Sequence, residues 1–261
     1  MKNFKEEISS LVSIIKSLDR KVVSVLIVVA IVQTISFYFT SRYFFRVNIA
    51  QHIQVTEFSR FYEFAYWFMG DFTSFFLIPA AVVKLYLKEN LKDFGFTFGD
   101  FKTGFKYTGI FAGFMFPIIW FVSSSPEFAI FYPHYEKARE SWGIFALYES
   151  GIFIYMFAWE FIWRGFLLFG LFPKFGYYAV LIQMIPFVIL HNGKPALETF
   201  SSILGGIALG ILSLRTKSFL YAVFIHFLVM FSIDLLSTLR FRAGDYGIGL
   251  SSFINVISKI F

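Results

Sequence analysis

Four residues raise a chemical question. Glu160 and Arg164 stand four apart in "YMFAWEFIWRGFLLFG", a run otherwise so apolar that with its flanks it is long enough to cross a bilayer. A charged side chain at the centre of a membrane helix costs roughly 2.5–3.5 kcal/mol on insertion scales, so it persists where something compensates it. At i and i+4 the two side chains share one helix face, in the Glu-before-Arg order that pairs best. Alone, they read as a structural ion pair that lets the helix insert. Two imidazoles shift that reading: His191 closes "PFVILH" and His226 lies inside "FIHFLVMFSID", so two of the chain's 4 histidines fall at membrane depth.

A carboxylate with two imidazoles is the equipment for hydrolysing a peptide bond with an activated water. Glu160 would take the water's proton as general base, with Arg164 beside it favouring the ionised form, while His191 and His226 would hold water and stabilise the oxyanion. The same three side chains, Glu160, His191 and His226, equally suit a His₂Glu site with an open position for a divalent metal such as Zn. These residues leave both routes open, with a metal or with none. His52 and His134 fall in loops, and no H-E-x-x-H occurs, which excludes a soluble-type zincin.

These groups must be positioned by elements that lipid permits. Of the 261 residues 57% are hydrophobic and only 15% charged, against roughly 25% charged in a soluble domain. The absence of cysteine removes disulfides, thiolate metal sites and cysteine nucleophiles. The net charge of +6 is scattered through inter-helix segments, the usual place for Lys and Arg in membrane proteins, and does not point to nucleic acid. The expected partners are membrane lipid and a membrane-anchored peptide or protein. With no polar linker, repeat or charge block, residues 1–261 read as one integral-membrane domain.

The expected fold class is all-α: a polytopic membrane protein of about seven transmembrane helices, preceded by an amphipathic helix over residues 1–20 that lies on the membrane surface. The next apolar run lacks a signal-peptide cleavage pattern and should be retained. Apolar spans fall near Val22–Thr40, Phe61–Leu87, Tyr107–Ser123, Gly143–Phe172, Tyr177–His191, Ala196–Leu214 and Phe219–Leu239, the fifth being short and holding Pro186. With the N-terminus inside, 13 of the 23 Lys and Arg residues fall on the inner side and 9 on the other, a bias that favours a cytoplasmic N-terminus. Asp71 could belong to the site but is expected rather to find a local partner such as Thr73 or a helix end, Glu149 to sit at the interface, and Gly205, Gly206 and Gly210 to form a close helix contact.

"WEFIWRGFLL", then "FVILH", then "GGIALGILSLRTKSFLYAVFIH" resemble the ordered motifs of the CPBP family of intramembrane proteases, the CAAX-prenyl endopeptidase and bacteriocin-processing (Abi) group, over about residues 90–240. That family's pattern is E-E-x-x-x-R, F-x-x-x-H and H-x-x-x-N on successive helices. Here Trp159 stands at the first glutamate, so Glu160 matches the second, and Met230 stands at the asparagine. "HNGKPALE", with His191, Lys194 and Glu198, and the later Asp234 resemble a variant of the family built on W-E-x-x-x-R-G. In that variant the resemblance implies Glu160 as base, with Glu198 or Asp234 supplying polar groups lost elsewhere and Lys194 as a further candidate. It implies an intramembrane endopeptidase acting on membrane-associated or lipidated substrates, in a bacterial cytoplasmic membrane. Trp159 and Met230 favour an alternative, a catalytically silent relative that binds a membrane partner. A proton-relay transporter finds no support in a broken-helix pair or inverted repeat.

Overall fold

The computed structural model describes residues 3–54, 56 and 58–260; residues 1 and 2 of the expected amphipathic helix lie outside them. Among the described residues every regular element is helical. Six helices are long and apolar enough to cross a membrane: Arg20–Thr40, Ser59–Leu87, Phe101–Val122, Trp142–Phe175, Ala196–Thr216 and Leu220–Ala243. The chain is a polytopic helical membrane protein. Ahead of these, Phe4–Ser17 forms a helix with no buried residue, opened by a capping box between Asn3 and Glu6. Asp19 then caps the first long helix by accepting from the Val22 amide at 3.0 Å.

The centre of the bundle is the 34-residue helix Trp142–Phe175, whose apolar stretch is 78% buried against 17% for Arg20–Thr40 and Phe101–Val122. It packs between Ser59–Leu87 and Leu220–Ala243. Aromatic rings fill these seams: Phe64 and Phe68 meet Tyr148 on one side, and Phe153 meets Phe227 on the other at 5.1 Å between centroids. The pairs Phe64–Tyr148 and Phe153–Phe227 are edge-to-face, a geometry that adds order to a core that is otherwise non-directional.

The fifth expected span differs. Tyr178–Ile189 has 12 residues, about 18 Å of helix and too short to cross a bilayer alone. Pro186 lies within it, and the chain turns before Ala196 with Gly193 at φ +92, a left-handed conformation that side chains disfavour. The short helix lies against Ala196–Thr216. A Cβ at Gly206 would stand 2.9 Å from Met184 Cγ, and one at Gly210 2.9 Å from Gln183 Nε2. The expected close contact is there at Gly206 and Gly210, while Gly205 lines a cavity instead. Gln183 uses the closeness to donate to the Gly206 carbonyl at 2.8 Å.

Hydrogen bonds gather three connecting regions at one end of the bundle. Lys21 pairs with Glu89 at 2.6 Å, the Asp100 amide donates to the Thr216 carbonyl at 2.9 Å, and the Tyr221 hydroxyl donates to the Phe98 carbonyl at 2.6 Å. These are segments the charge tally places together. At the other end Arg42 pairs with Glu63 at 2.6 Å, and Glu127 accepts from the Ala196 amide at 3.3 Å. Asp71 is not paired with Thr73. It is buried between the first two spans and accepts from Ser36 Oγ and Thr40 Oγ1, each at 2.7 Å, and from Trp67 Nε1 at 2.8 Å. One neighbouring helix, Arg20–Thr40, out of reach of a local sequence reading, supplies two of the three donors.

Candidate active site

Glu160 is the last residue of regular α-helix in Trp142–Phe175; from Phe161 to Leu167 the helix widens into a π turn. Such turns recur at functional sites because the extra residue re-aims the side chains around it. Gly165 permits the widening: a Cβ there would come within 2.7 Å of Phe161 Cδ2 and 3.2 Å of the Phe94 carbonyl oxygen. Every residue from Phe161 to Leu167 is buried, so the bulge is held from all sides.

One oxygen of Glu160 carries the polar contacts of the pair. Oε1 accepts from Arg164 Nη1 at 3.1 Å and lies 2.6 Å from His226 Nδ1. Both carboxylate and guanidinium are fully buried. Oε2 of Glu160 is buried and has no donor in the protein. Arg164 also lies 3.9 Å above the Phe187 ring, so its remaining face meets an aromatic quadrupole rather than lipid. The ion pair expected from i,i+4 spacing is therefore formed, and an imidazole from a different helix joins it.

Hydrogen-bond pairing fixes the tautomers. A carboxylate accepts only, so His226 Nδ1 carries a proton and, in the neutral ring, Nε2 is left as an acceptor. His191 Nδ1 lies 2.7 Å from the Phe187 carbonyl oxygen, which sets the same tautomer there. Phe187 thus orients His191 through its backbone and covers Arg164 with its ring, giving the F-x-x-x-H spacing a physical content. The two imidazoles lie nearly parallel, at 19°, with centroids 6.3 Å apart.

Both histidines line a cavity of about 450 Å³. Its other walls are mainly apolar, from Phe111, Phe114 and Met115 on Phe101–Val122 to Leu204 and Ala208 on Ala196–Thr216. Glu160 does not line it; His226 stands in the wall with Glu160 behind. Met230, where the family pattern has asparagine, is part of the apolar lining.

Residues 137–232 match the family model described as type II CAAX prenyl endopeptidase Rce1-like. This stretch of the chain is Rce1-like. The match agrees with the CPBP resemblance of the motifs and supports, at family level, intramembrane protease activity. No curated protein and no solved structure matches the chain. The Rce1-like stretch contains Glu160, Arg164, His191, Lys194, Glu198 and His226, and ends before Asp234.

Within the Rce1-like stretch, Glu198 comes to the cavity wall with His191, and Lys194 is paired to it. Glu198 accepts from Lys194 Nζ at 2.7 Å and from the Tyr132 hydroxyl at 2.5 Å, and both Glu198 and Tyr132 line the cavity. Tyr132 went unnoticed in the sequence, since "FYPHYEKARE" carries no motif and its partner is 66 residues away. His134, in the same segment, is pushed down to about 3 by burial and is neutral at physiological pH.

Other candidates fall elsewhere. Asp234 does not join His226; it is fully buried about 12 Å further along the same helix and faces Glu149. Glu149, expected at the interface, is also buried, at 4% exposure. Among the described residues no three His, Cys, Asp or Glu side chains are grouped to hold a metal ion. Both histidines keep Nε2 as an acceptor, but Glu160 Oε1 is turned to His226 Nδ1 and Glu160 does not reach the cavity that the two rings line, so the three side chains are not assembled as a His₂Glu ligand set.

Proposed function

We propose that the chain is an intramembrane endopeptidase that hydrolyses a peptide bond of a membrane-associated or lipidated substrate. The observation that carries this is the 2.6 Å contact of a buried glutamate with a histidine on the wall of a mainly apolar cavity. A carboxylate behind an imidazole holds the ring in one tautomer and stabilises the imidazolium that forms when the ring takes a proton.

On this reading His226, backed by Glu160, is the base facing the substrate, and Glu160 acts through it. A water in the cavity donates to the acceptor nitrogens of His226 and His191 and attacks the peptide carbonyl. Its proton passes to His226, then to the leaving amine nitrogen as the C–N bond breaks. His191 in its neutral form offers an acceptor, so it serves to hold water before attack; an oxyanion donor would need a second proton on that ring. Arg164 fixes the carboxylate, and Phe187 fixes both Arg164 and His191. The apolar walls suit a substrate segment delivered from lipid.

The test is cleavage of a library of membrane-anchored peptides, with and without lipid groups, by the purified protein in nanodiscs. The parent should cleave members of the library, and His226→Ala, matched for amount and thermal stability, should not. Cleavage by neither, with a partner-dependent phenotype intact in His226→Ala cells, would instead support a catalytically silent partner-binding protein.

A further inference from the structure

The cavity beside His191 and His226 lies off-centre along the bundle, and its two ends are built differently. Residues 123–141, which connect Phe101–Val122 to Trp142–Phe175, lie across one end. Arg240 Nε donates to Ser123 Oγ and Nη2 to the Trp120 carbonyl, each at 2.9 Å, and Arg242 Nε donates to the Arg139 carbonyl at 2.8 Å. Glu127 and Tyr132 of the connecting segment reach the Ala196 amide and Glu198, so Ala196–Thr216 starts at this end. The start of the first span marks the other end. There Lys21 lies over the Phe94 ring at 4.8 Å, the Phe219 amide donates to the Gly95 carbonyl at 3.2 Å, and the Asp100 amide donates to Thr216.

On Phe101–Val122 the lining begins only at Phe111, and on Ala196–Thr216 it runs from Leu197 to Leu209 and stops. From Glu198 to Leu209 is about 16 Å of helix, and about 10 Å more separates Leu209 from Thr216. Close packing fills that remainder. A Cβ at Gly104 would stand 2.2 Å from the Tyr221 ring, one at Gly99 1.9 Å from the Thr216 carbonyl oxygen, and Phe105 packs on both Tyr221 and Phe224. The polar lining gathers at the open end, with Tyr132, Glu198, Ser201 and Ser202, while Phe111, Leu209 and Ile225 form the deep end. His191 belongs to the open end: Thr199 Oγ1 donates to its carbonyl at 2.8 Å.

Sideways the cavity meets lipid. Phe114 on Phe101–Val122 and Leu204 on Ala196–Thr216 line it and are themselves 67% and 73% exposed, although both helices are apolar spans. A side chain added at Gly205, also in the lining, would meet nothing within 4 Å.

We propose that the substrate's apolar anchor enters sideways between Phe101–Val122 and Ala196–Thr216, in the half of the membrane away from the N-terminus, and that its cleavable polar end lies at Tyr132, Glu198 and Ser201. An anchor arriving from the other half would have to carry unpaired peptide groups past the closed packing at Gly99 and Gly104 or through hydrocarbon, where nothing satisfies them. With the N-terminus cytoplasmic, as the Lys and Arg bias favours, the substrate class is a membrane-anchored precursor whose cleaved peptide faces outward. The cleavage rests on the peptidase reading above; the path of access does not.

The experiment uses the full chain in intact cells, with Asn3→Cys or Ser201→Cys as the single cysteine in a chain that has none. A charged, membrane-impermeant thiol reagent should label Ser201→Cys from outside and Asn3→Cys only after lysis. Labelling of both from the same side, or of Ser201→Cys from neither, would overturn the path of access. The mirror pattern, Asn3→Cys from outside and Ser201→Cys only after lysis, would overturn the outward-facing substrate class. Cleavage is then read on two single-span peptides that share one apolar anchor and one cleavable sequence, placed outside in the first and inside in the second. The parent should cleave the first and spare the second; the opposite preference would overturn the proposal. Gly205→Phe fills the sideways gap without a clash and should raise KM for the anchored peptide while leaving kcat in place, and a parental KM would overturn sideways entry. The expected labelling with neither peptide cleaved would sustain the path of access and count against the peptidase reading.

Discussion

Two contacts join the same pair of helices, and they are built on opposite principles. At Glu160 and His226 an acid meets a base, with Arg164 adding a second donor and a cavity on the far side of the imidazole. At Glu149 and Asp234 an acid meets an acid, with no donor on any of the four oxygens. The first contact is complementary without help from solvent protons and leaves one ring nitrogen facing the cavity. The second has no complementary group in the protein on any of its oxygens. The difference assigns the chemistry to the pair beside the cavity; Tyr132 and Glu198 of the cavity wall lie near Asp234, but the acid pair itself contributes no side chain to the lining.

The largest expected effect would break this assignment if it failed. Glu160→Gln and His226→Ala should each lower cleavage by at least about a hundredfold, and the double variant should lose little more than the worse single one, because the two groups act as a unit. Initial rates at matched membrane amounts measure this. Full cleavage by Glu160→Gln would move the chemistry away from this contact.

Next in size is Arg164→Ala. Removing one partner of a fully buried ion pair leaves an uncompensated charge, and the expected cost is about 3 kcal/mol or more of stability. Glu160→Gln stays polar and should fold better, despite losing more activity. Denaturant titration of both variants in detergent compares them; a parental midpoint for Arg164→Ala would show that His226 alone compensates the carboxylate.

Tyr132→Phe should act more weakly, costing about 1.5 kcal/mol for a hydrogen bond to a charged acceptor. Since Tyr132 and Glu198 line the cavity while Glu160 stands behind it, the kinetic effect should appear in KM more than in kcat. A fall in kcat with KM unchanged would enlarge the reacting site to include this wall. Smallest of all in energy is a test of orientation. Single cysteines at Asn3 and Asn90 should both be labelled from the cytoplasmic side and neither from outside intact cells, as the Lys and Arg bias requires.

What the sequence made legible was local or periodic. The long spans follow from apolar runs, and the Glu160–Arg164 pair from a spacing of four within one helix. The motif order around Glu160, His191 and His226 falls inside the stretch that is Rce1-like. What stayed hidden depends on contacts between distant segments. Glu149 reads as interfacial because it lies near a helix start, and the packing of other helices against Trp142–Phe175 buries it. Tyr132 reaches Glu198 across 66 positions. The placement of His226 ahead of Glu160 is likewise a matter of packing: spacing can bring two groups to one depth but cannot say which of them faces the cavity.

The wide turn after Glu160 has a consequence best stated in terms of insertions and deletions. A π turn accommodates a residue beyond the ordinary helical repeat, so the faces before and after it are out of phase by about 100°. Deleting one residue between Phe161 and Leu167 would restore a continuous α-helix. It would also swing Glu160 by that angle relative to Leu168–Phe175, away from the imidazole it now holds. The apolar character of the run would survive the deletion intact, so the altered chain would still insert as a membrane helix. Length variation at this one place would therefore separate membrane insertion, which depends on composition, from the Glu160–His226 contact, which depends on phase.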